Sequence, residues 1–391
     1  MKTKQLALLT LFLSALLTIG QAGNSQPNNL LPYRTTIPSP RQPAKIQVAV
    51  LLDVSNSMDG LIDQAKAQLW NMVNTLGKVK CGNYVPQIEV ALYEYGRSTN
   101  ASSRGYVKQL SDLSTDLDKL SGILFGLTTD GGDEYCGQVI YSSLTELAWD
   151  PNPGSYKVIF ICGNEDFLQG NMKYQTACNL AKQKGVVVNT IYCGDRMDGI
   201  REHWNINDFC GGGSYTNINQ NAKLEEIPTP YDQQILTLNE KLNGTYIGYT
   251  NEWSKKAQAQ KEMDQKNLSY STTAGVKRSV AKAKSNVYNN SSWDLVDKAD
   301  KDGEFINNMD TTQVGADLKG KSKTEIKKIV AQKSKERGLV QKQIAELSVR
   351  RDAYITTEKA KKSKTGTPQT LETEMEKIIR KQIALFNMTI K

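Results

Sequence analysis

The sequence predicts an α/β fold, a doubly wound and mostly parallel sheet, followed by a helical carboxyl-terminal region. Three observations carry this. Continuous apolar runs, Val48-Ala49-Val50-Leu51-Leu52 and Val158-Ile159-Phe160-Ile161-Cys162 foremost, read as strands buried on both faces, as parallel strands are. Segments with apolar residues at helical spacing alternate with these runs. Beyond residue 250 the chain turns polar, lysine-rich and helical.

In chain order, Met1-Lys2-Thr3-Lys4, an apolar run from Leu6 to Ile19, and Gly20-Gln21-Ala22 make a signal peptide over 1–22. Residues 23–45, with Pro27, Pro32, Pro38, Pro40 and Pro43, form a linker. The α/β domain spans 46–225. Its first strand, ending at Leu52, leads to a helix with Leu61, Ala65, Leu69, Met72, Val73 and Leu76 inward, closed by Gly77. A second strand covers 87–95 and an edge strand 105–110. A short helix (Leu117, Leu120, Leu124, Leu127) is followed by the polar loop 128–137 and a helix bearing Val139, Ile140, Leu144 and Leu147. After the fourth strand comes a helix around Ala177 and Ala181 with Gly185 at its end, then a fifth strand over 186–193. The remaining 226–391 is basic and helical, with a long helix from Ser322 to about Ala360 and a last one, Leu371 to Phe386, folding back on it as a hairpin. Ile326, Val330, Val340, Ile344 and Leu347 step along the long helix like heptads. Lys333, Arg337 and Arg351 interrupt that seam, so it packs on its own chain rather than forming an autonomous coiled coil.

The chemistry centres on Asp53-Val54-Ser55-Asn56-Ser57. In an open α/β sheet, ligands bind at the carboxyl ends of the strands. A carboxylate and two hydroxyls at alternate positions there offer hard oxygen donors suited to Mg²⁺; the competing reading is an Asp/Ser helix cap. The segment Val50 to Gly60 resembles the opening of a von Willebrand factor A domain, whose D-x-S-x-S motif begins a metal-ion-dependent adhesion site. The resemblance spans roughly 45–225 and implies a Rossmann-like sheet that ends in a last helix over Trp204, Ile206 and Phe209, the glycines Gly211-Gly212-Gly213 and a final strand. It also implies two further metal-facing positions. One lies in the Gly131-Gly132 loop and is carried to Asp133, with Thr128 and Thr129 as alternatives. The other follows the fourth strand and falls on Asn164, with Glu165 and Asp166 as alternatives. The expected metal set is therefore Asp53, Ser55, Ser57, Asp133 and Asn164, holding Mg²⁺ (or Ca²⁺/Mn²⁺). Asn164, lacking the family's negative charge, weakens the affinity.

Composition bounds the function. The net charge of +8 is concentrated in residues 255–391, which carry 29 basic and 17 acidic side chains. The lysines are interleaved with acids, which reads as a solvated helix face and not as a nucleic-acid site. Six cysteines in an exported chain favour disulfides within 81–210, with Cys81–Cys136 the first pairing expected, both at loop–element junctions. The single histidine, His203, leaves little for Ser-His or Cys-His catalysis. The expectation is a non-catalytic secreted or periplasmic binding protein with no membrane span after signal removal, engaging a protein partner's carboxylate through the cation. Its rivals are a module that docks its own helical tail and a metal-dependent hydrolase.

Overall fold

The computed structural model describes residues 43–206, 210–222, 226–362 and 369–390. The signal peptide, most of the linker and Phe209 lie outside the described residues. Strand β1 (Ile46–Asp53) is buried along its whole length because a parallel strand flanks it on each side, β3 (Ile88–Tyr95) and β5 (Tyr156–Gly163). The six-stranded sheet has the order β4-β3-β1-β5-β6-β7, with β6 (Val187–Cys193) and β7 (Tyr215–Ile218) parallel and β4 (Lys108–Ser114) an antiparallel edge. This is the doubly wound, mostly parallel sheet expected from the sequence. The edge strand lies a few residues later than 105–110, because Gly105 and Tyr106 both take positive φ (67° and 58°) and turn the chain there.

Alternate residues of β1 feed two cores. Val48, Val50 and Leu52 pack with α1 (Asp59–Leu76) and α2 (Leu117–Gly126). Ala49 and Leu51 pack with α3 (Cys136–Glu146) and α4 (Tyr174–Lys184). A short helix α5 (Arg196–Arg201) precedes Trp204; residues 207–209 of the expected last helix lie outside the described residues. The Trp204 indole is fully buried in irregular chain, edge-on to Phe167 and Tyr192.

The carboxyl-terminal chain supplies the rest of the α1 layer. Helix α12 (Leu371–Ile383) lays Leu371, Met375, Ile378, Ile379 and Ile383 into the same core as α1. Its Gln382 is buried in hydrogen bonds: Nε2 donates to Asn189 Oδ1 at 2.7 Å, and Tyr156 Oη donates to Oε1 at 2.8 Å. At the other end the Leu371 amide donates to Gln64 Oε1 of α1 at 2.7 Å. The expected hairpin is therefore replaced: α12 packs on α1 and β7, where an apolar face meets the sheet, and not along the preceding helix. A last two-stranded ladder joins β2 (Val79–Lys80) to β8 (Thr389–Ile390).

Between them stand α6 (Asp232–Asn243), α7 (Trp253–Tyr270), α8 (Thr272–Lys282), α9 (Leu295–Lys301), α10 (Phe305–Asn308) and the 40-residue α11 (Lys323–Lys362). Ile344 of α11 is buried among Ile235, Leu238, Val276 and Val280, while Ile326 and Val330 join Leu295 and Ile306. The long helix thus packs on its own chain, as the charges in its seam imply.

The disulfide joins Cys178 and Cys210, not Cys81 and Cys136. Cys81 packs against the α1-side core and Cys136 lies in the core on the opposite face of the sheet, so the sheet itself separates them. Cys178 and Cys210 share the second core.

Two outcomes follow. Ile344→Asp is expected to destabilise the protein by about 3–5 kcal/mol, since it buries an unpaired charge; an unchanged melting temperature would place this face in solvent. Cys178→Ser, which opens a loop with a sequence separation of 32, is expected to cost about 3–4 kcal/mol by chain entropy, measured by denaturant unfolding under oxidising conditions.

Candidate metal centre

Strand β1 delivers Asp53 to the carboxyl edge of the sheet while still fully buried. One carboxylate oxygen, Oδ1, accepts the Ser55 amide at 2.8 Å. The other, Oδ2, is buried without any hydrogen-bond partner. Two glycines wall it in. A Cβ at Gly163 would stand 3.0 Å from Oδ2, and one at Gly96, which also takes φ +81°, would stand 2.9 Å from Oδ1. Side chains at either position would fill the space beside the carboxylate.

The hydroxyls of the motif converge next to it. Ser55 Oγ and Ser57 Oγ are 3.3 Å apart, and Ser57 Oγ donates to Asn164 Oδ1 at 3.3 Å. Asn164 follows β5, the neighbour of β1, which explains its arrival at the same edge. Of its alternatives, Asp166 accepts from the Leu168 amide and faces His203 Nδ1 at 3.0 Å, and Glu165 is exposed. His203 is therefore occupied by a surface carboxylate.

The 128–135 loop is tied down by the Asp130 amide, which donates to Val54 O at 2.9 Å. It does not bring Asp133 inward: that side chain is exposed, with its carboxylate accepting from Tyr135 Oη at 3.0 Å. The next residue, Glu134, is buried and lies beside Ser55, Gly96 and Asp53. Sequence reasoning missed Glu134 because both acids precede α3 in a loop without periodicity. Which one turns inward depends on the backbone there. Thr129 Oγ1 donates to Asp59 Oδ1 at 2.5 Å, and Thr128 accepts from Arg97.

Burial pushes the Asp53 carboxyl up to about 7, against the opposing hydrogen bonds from Ser55 and helped by the charge of Glu165. Burial, then the nearby Asp53 and Glu165, pushes Glu134 up to about 8. Two adjoining acids that resist ionisation, an orphaned buried oxygen and three neutral oxygen donors fit a hard divalent cation. Among the described residues no group of three or more His, Cys, Asp or Glu could hold a metal, so any such site draws on hydroxyl and amide oxygens.

No protein-family model matches the chain, and no curated protein matches it. Among solved structures it is similar to proximal thread matrix protein 1 from the mussel byssus, described with a zinc-occupied MIDAS motif. That match has 16% identity, 44% of this chain, 41% of that one and a TM-score of 0.33. It is similar also to the SpRpn10 VWA domain, at 15% identity, 46% of this chain, 92% of that one and TM-score 0.32. A third is the pilus adhesin SpaC of Lactobacillus rhamnosus GG, at 13% identity, 46% of this chain, 28% of that one and TM-score 0.33. The match spans about two-fifths of the length of the first of these.

The raised acids carry a pH signature. From about pH 4 to pH 7–8 each keeps its proton in the folded chain where the unfolded chain has released it. Its stabilising contribution is thus complete below the unfolded value and lost as pH rises through the folded one. In chelator, the protein is expected to lose stability between pH 5 and pH 8.5. Asp53→Asn, with no proton to lose, is expected to flatten that decline and to be more stable at pH 8.5, on the order of 2–4 kcal/mol. Thermal melts of both proteins across this range decide it; parallel curves would mean that the Asp53 carboxylate is solvated.

Proposed function

We propose that this protein, built on the von Willebrand factor A fold, is an exported, non-catalytic binding protein that holds a divalent cation and through it a carboxylate of a protein partner. The observation that carries this reading is the buried, unpartnered Oδ2 of Asp53 beside Glu134, at the edge where Ser55, Ser57 and Asn164 also arrive. Asp53, Ser55 and Ser57 would hold the ion, with Glu134 rather than Asp133 as the second carboxylate and Asn164 as the amide donor. Mg²⁺ fits the oxygen set, as do Ca²⁺ and Mn²⁺. The ion would supply a positive charge that relieves two buried acids and attracts an anionic group from outside.

The surroundings support a docking role. Leu168 and Met197, on the segments after β5 and β6, are large exposed apolar side chains near this edge. A partner that lays apolar surface on them would shield the central contact from water. The Cys178–Cys210 disulfide and the amino-terminal signal reading support export. Among the described residues no helix is long and apolar enough to cross a membrane. The docked tail is a core element that packs on α1 and β7.

Calorimetric titration with MgCl₂ and MnCl₂ tests the reading. Wild type is expected to bind, and Asp53→Ala to lose the response with its fold intact. Asn164→Asp is expected to tighten binding about tenfold by restoring a negative charge. Affinity is also expected to rise between pH 6 and pH 9, since the ion must displace protons from Asp53 and Glu134. Equal heats from wild type and Asp53→Ala would reduce the motif to a helix cap, and metal-dependent turnover of a phosphoester would favour the hydrolase.

A further inference from the structure

The site face and the exposed side of α11 carry opposite charge. At the carboxyl edge of the sheet Asp133, Glu165 and Asp195 are exposed, and among the described residues none of them stands in an ion pair. On α11, Lys328, Lys335 and Lys342 recur every seven residues along the exposed side and Arg350 continues the stripe, again without ion pairs among the described residues. Seven residues are two helical turns, so these cations share one face. Leu339 and Val349, both large and exposed, lie in the same stripe. Midway between Lys342 and Arg350, four residues from each, stands Glu346, an exposed carboxylate with no partner among the described residues. It lines a groove of about 460 Å³ between α6 and α11, with Lys241 and Arg350.

This is the kind of surface the site is built to take: a lone carboxylate framed by cations that offset the acidic rim, with apolar side chains on either side. The two surfaces of one copy sit toward different ends of α1. That helix begins beside the site at Asp59 and its 18 residues run about 27 Å. Just past its far end, Lys78 pairs with Asp352 of α11 at 3.5 Å.

We propose that the site face of one copy engages the α11 face of a second copy, head to tail, with Glu346 as the carboxylate that meets the cation. The inference rests on the metal-site reading above and names its partner. Each copy carries one surface of each kind and the two differ, so the contact is heterologous and propagates into rings or open chains. Opposite charges on the two surfaces also steer encounter and make it sensitive to salt.

Complementation tests it on the full chain. By sedimentation velocity in millimolar MgCl₂, wild type is expected to form species larger than dimers as concentration rises, and to return to monomer in chelator. Asp53→Ala and Glu346→Gln are each expected to associate at least about tenfold more weakly alone. Mixed, they are expected to form a dimer and stop there, because the intact site of one meets the intact Glu346 of the other and no second such pair remains. A wild type that stays monomeric in MgCl₂, a mixture that stays monomeric, or a Glu346→Gln that assembles like wild type overturns the proposal. Calorimetry on Glu346→Gln separates the two readings. Intact Mg²⁺ binding with a failed mixture sinks only the head-to-tail contact, whereas absence of Mg²⁺ binding in wild type sinks the metal site itself.

Discussion

Burial of β1 on both faces is the constraint from which the rest of the fold follows. A strand without an exposed residue needs a strand on each side and a helical layer above and below. On one face α3 and α4 suffice. On the other, α1 and α2 leave apolar sheet uncovered beside β5, β6 and β7, and α12 closes it from more than 150 residues downstream of β7. The polar clasp of Gln382 with Asn189 and Tyr156 then matters in two ways. It satisfies groups that would be costly to bury alone, and it fixes where along the sheet α12 can sit.

The same constraint makes the site electrostatically frustrated. A strand that stays dry to its last residue delivers Asp53 into a place where ionisation is disfavoured, and Glu134 is packed beside it. Burial holds both carboxyls above their ordinary range, at about 7 and about 8, so ionising either in the folded chain costs free energy. Two hydrogen-bond donors would relieve part of this. Instead Oδ2 has none, and Gly163 keeps a side chain away from it as Gly96 does from Oδ1. Local violations of this kind are where folds carry function rather than stability.

The strands and the D-x-S-x-S position were legible because two-sided burial leaves an unbroken apolar run, a signal that needs no partner to be read. Asn164 could be placed for the same reason, by counting from the end of such a run. The reading lost ground where identity depends on direction or distance. Asp133 and Glu134 are chemically equivalent in a glycine-rich loop, and only the backbone decides which one enters. Cys81 and Cys136 look alike in sequence until the sheet comes between them. The hairpin expected of α12 came from proximity in sequence to α11, but its strong apolar face is matched to the sheet, a partner that no local pattern announces.

The arginines of α11 show how a departure from pattern can be informative. Arg337 donates to Asp294 Oδ2 at 2.7 Å and to the Thr245 carbonyl at 2.8 Å, and its guanidinium lies 4.2 Å from the Tyr246 ring centroid. Arg351 donates to Asp232 Oδ1 at 2.7 Å. Buried pairs of this sort add little net stability over an apolar contact, but a helix slipped by one turn would leave both guanidinium groups buried and unpaired, at several kcal/mol each. The pairs therefore set the register and rotation of a helix whose apolar contacts alone are sparse. A helix held at two such points over its 40 residues presents its opposite side in a fixed orientation. The residues that spoil α11 as a coiled-coil strand are thus the ones that make its outer stripe a defined surface.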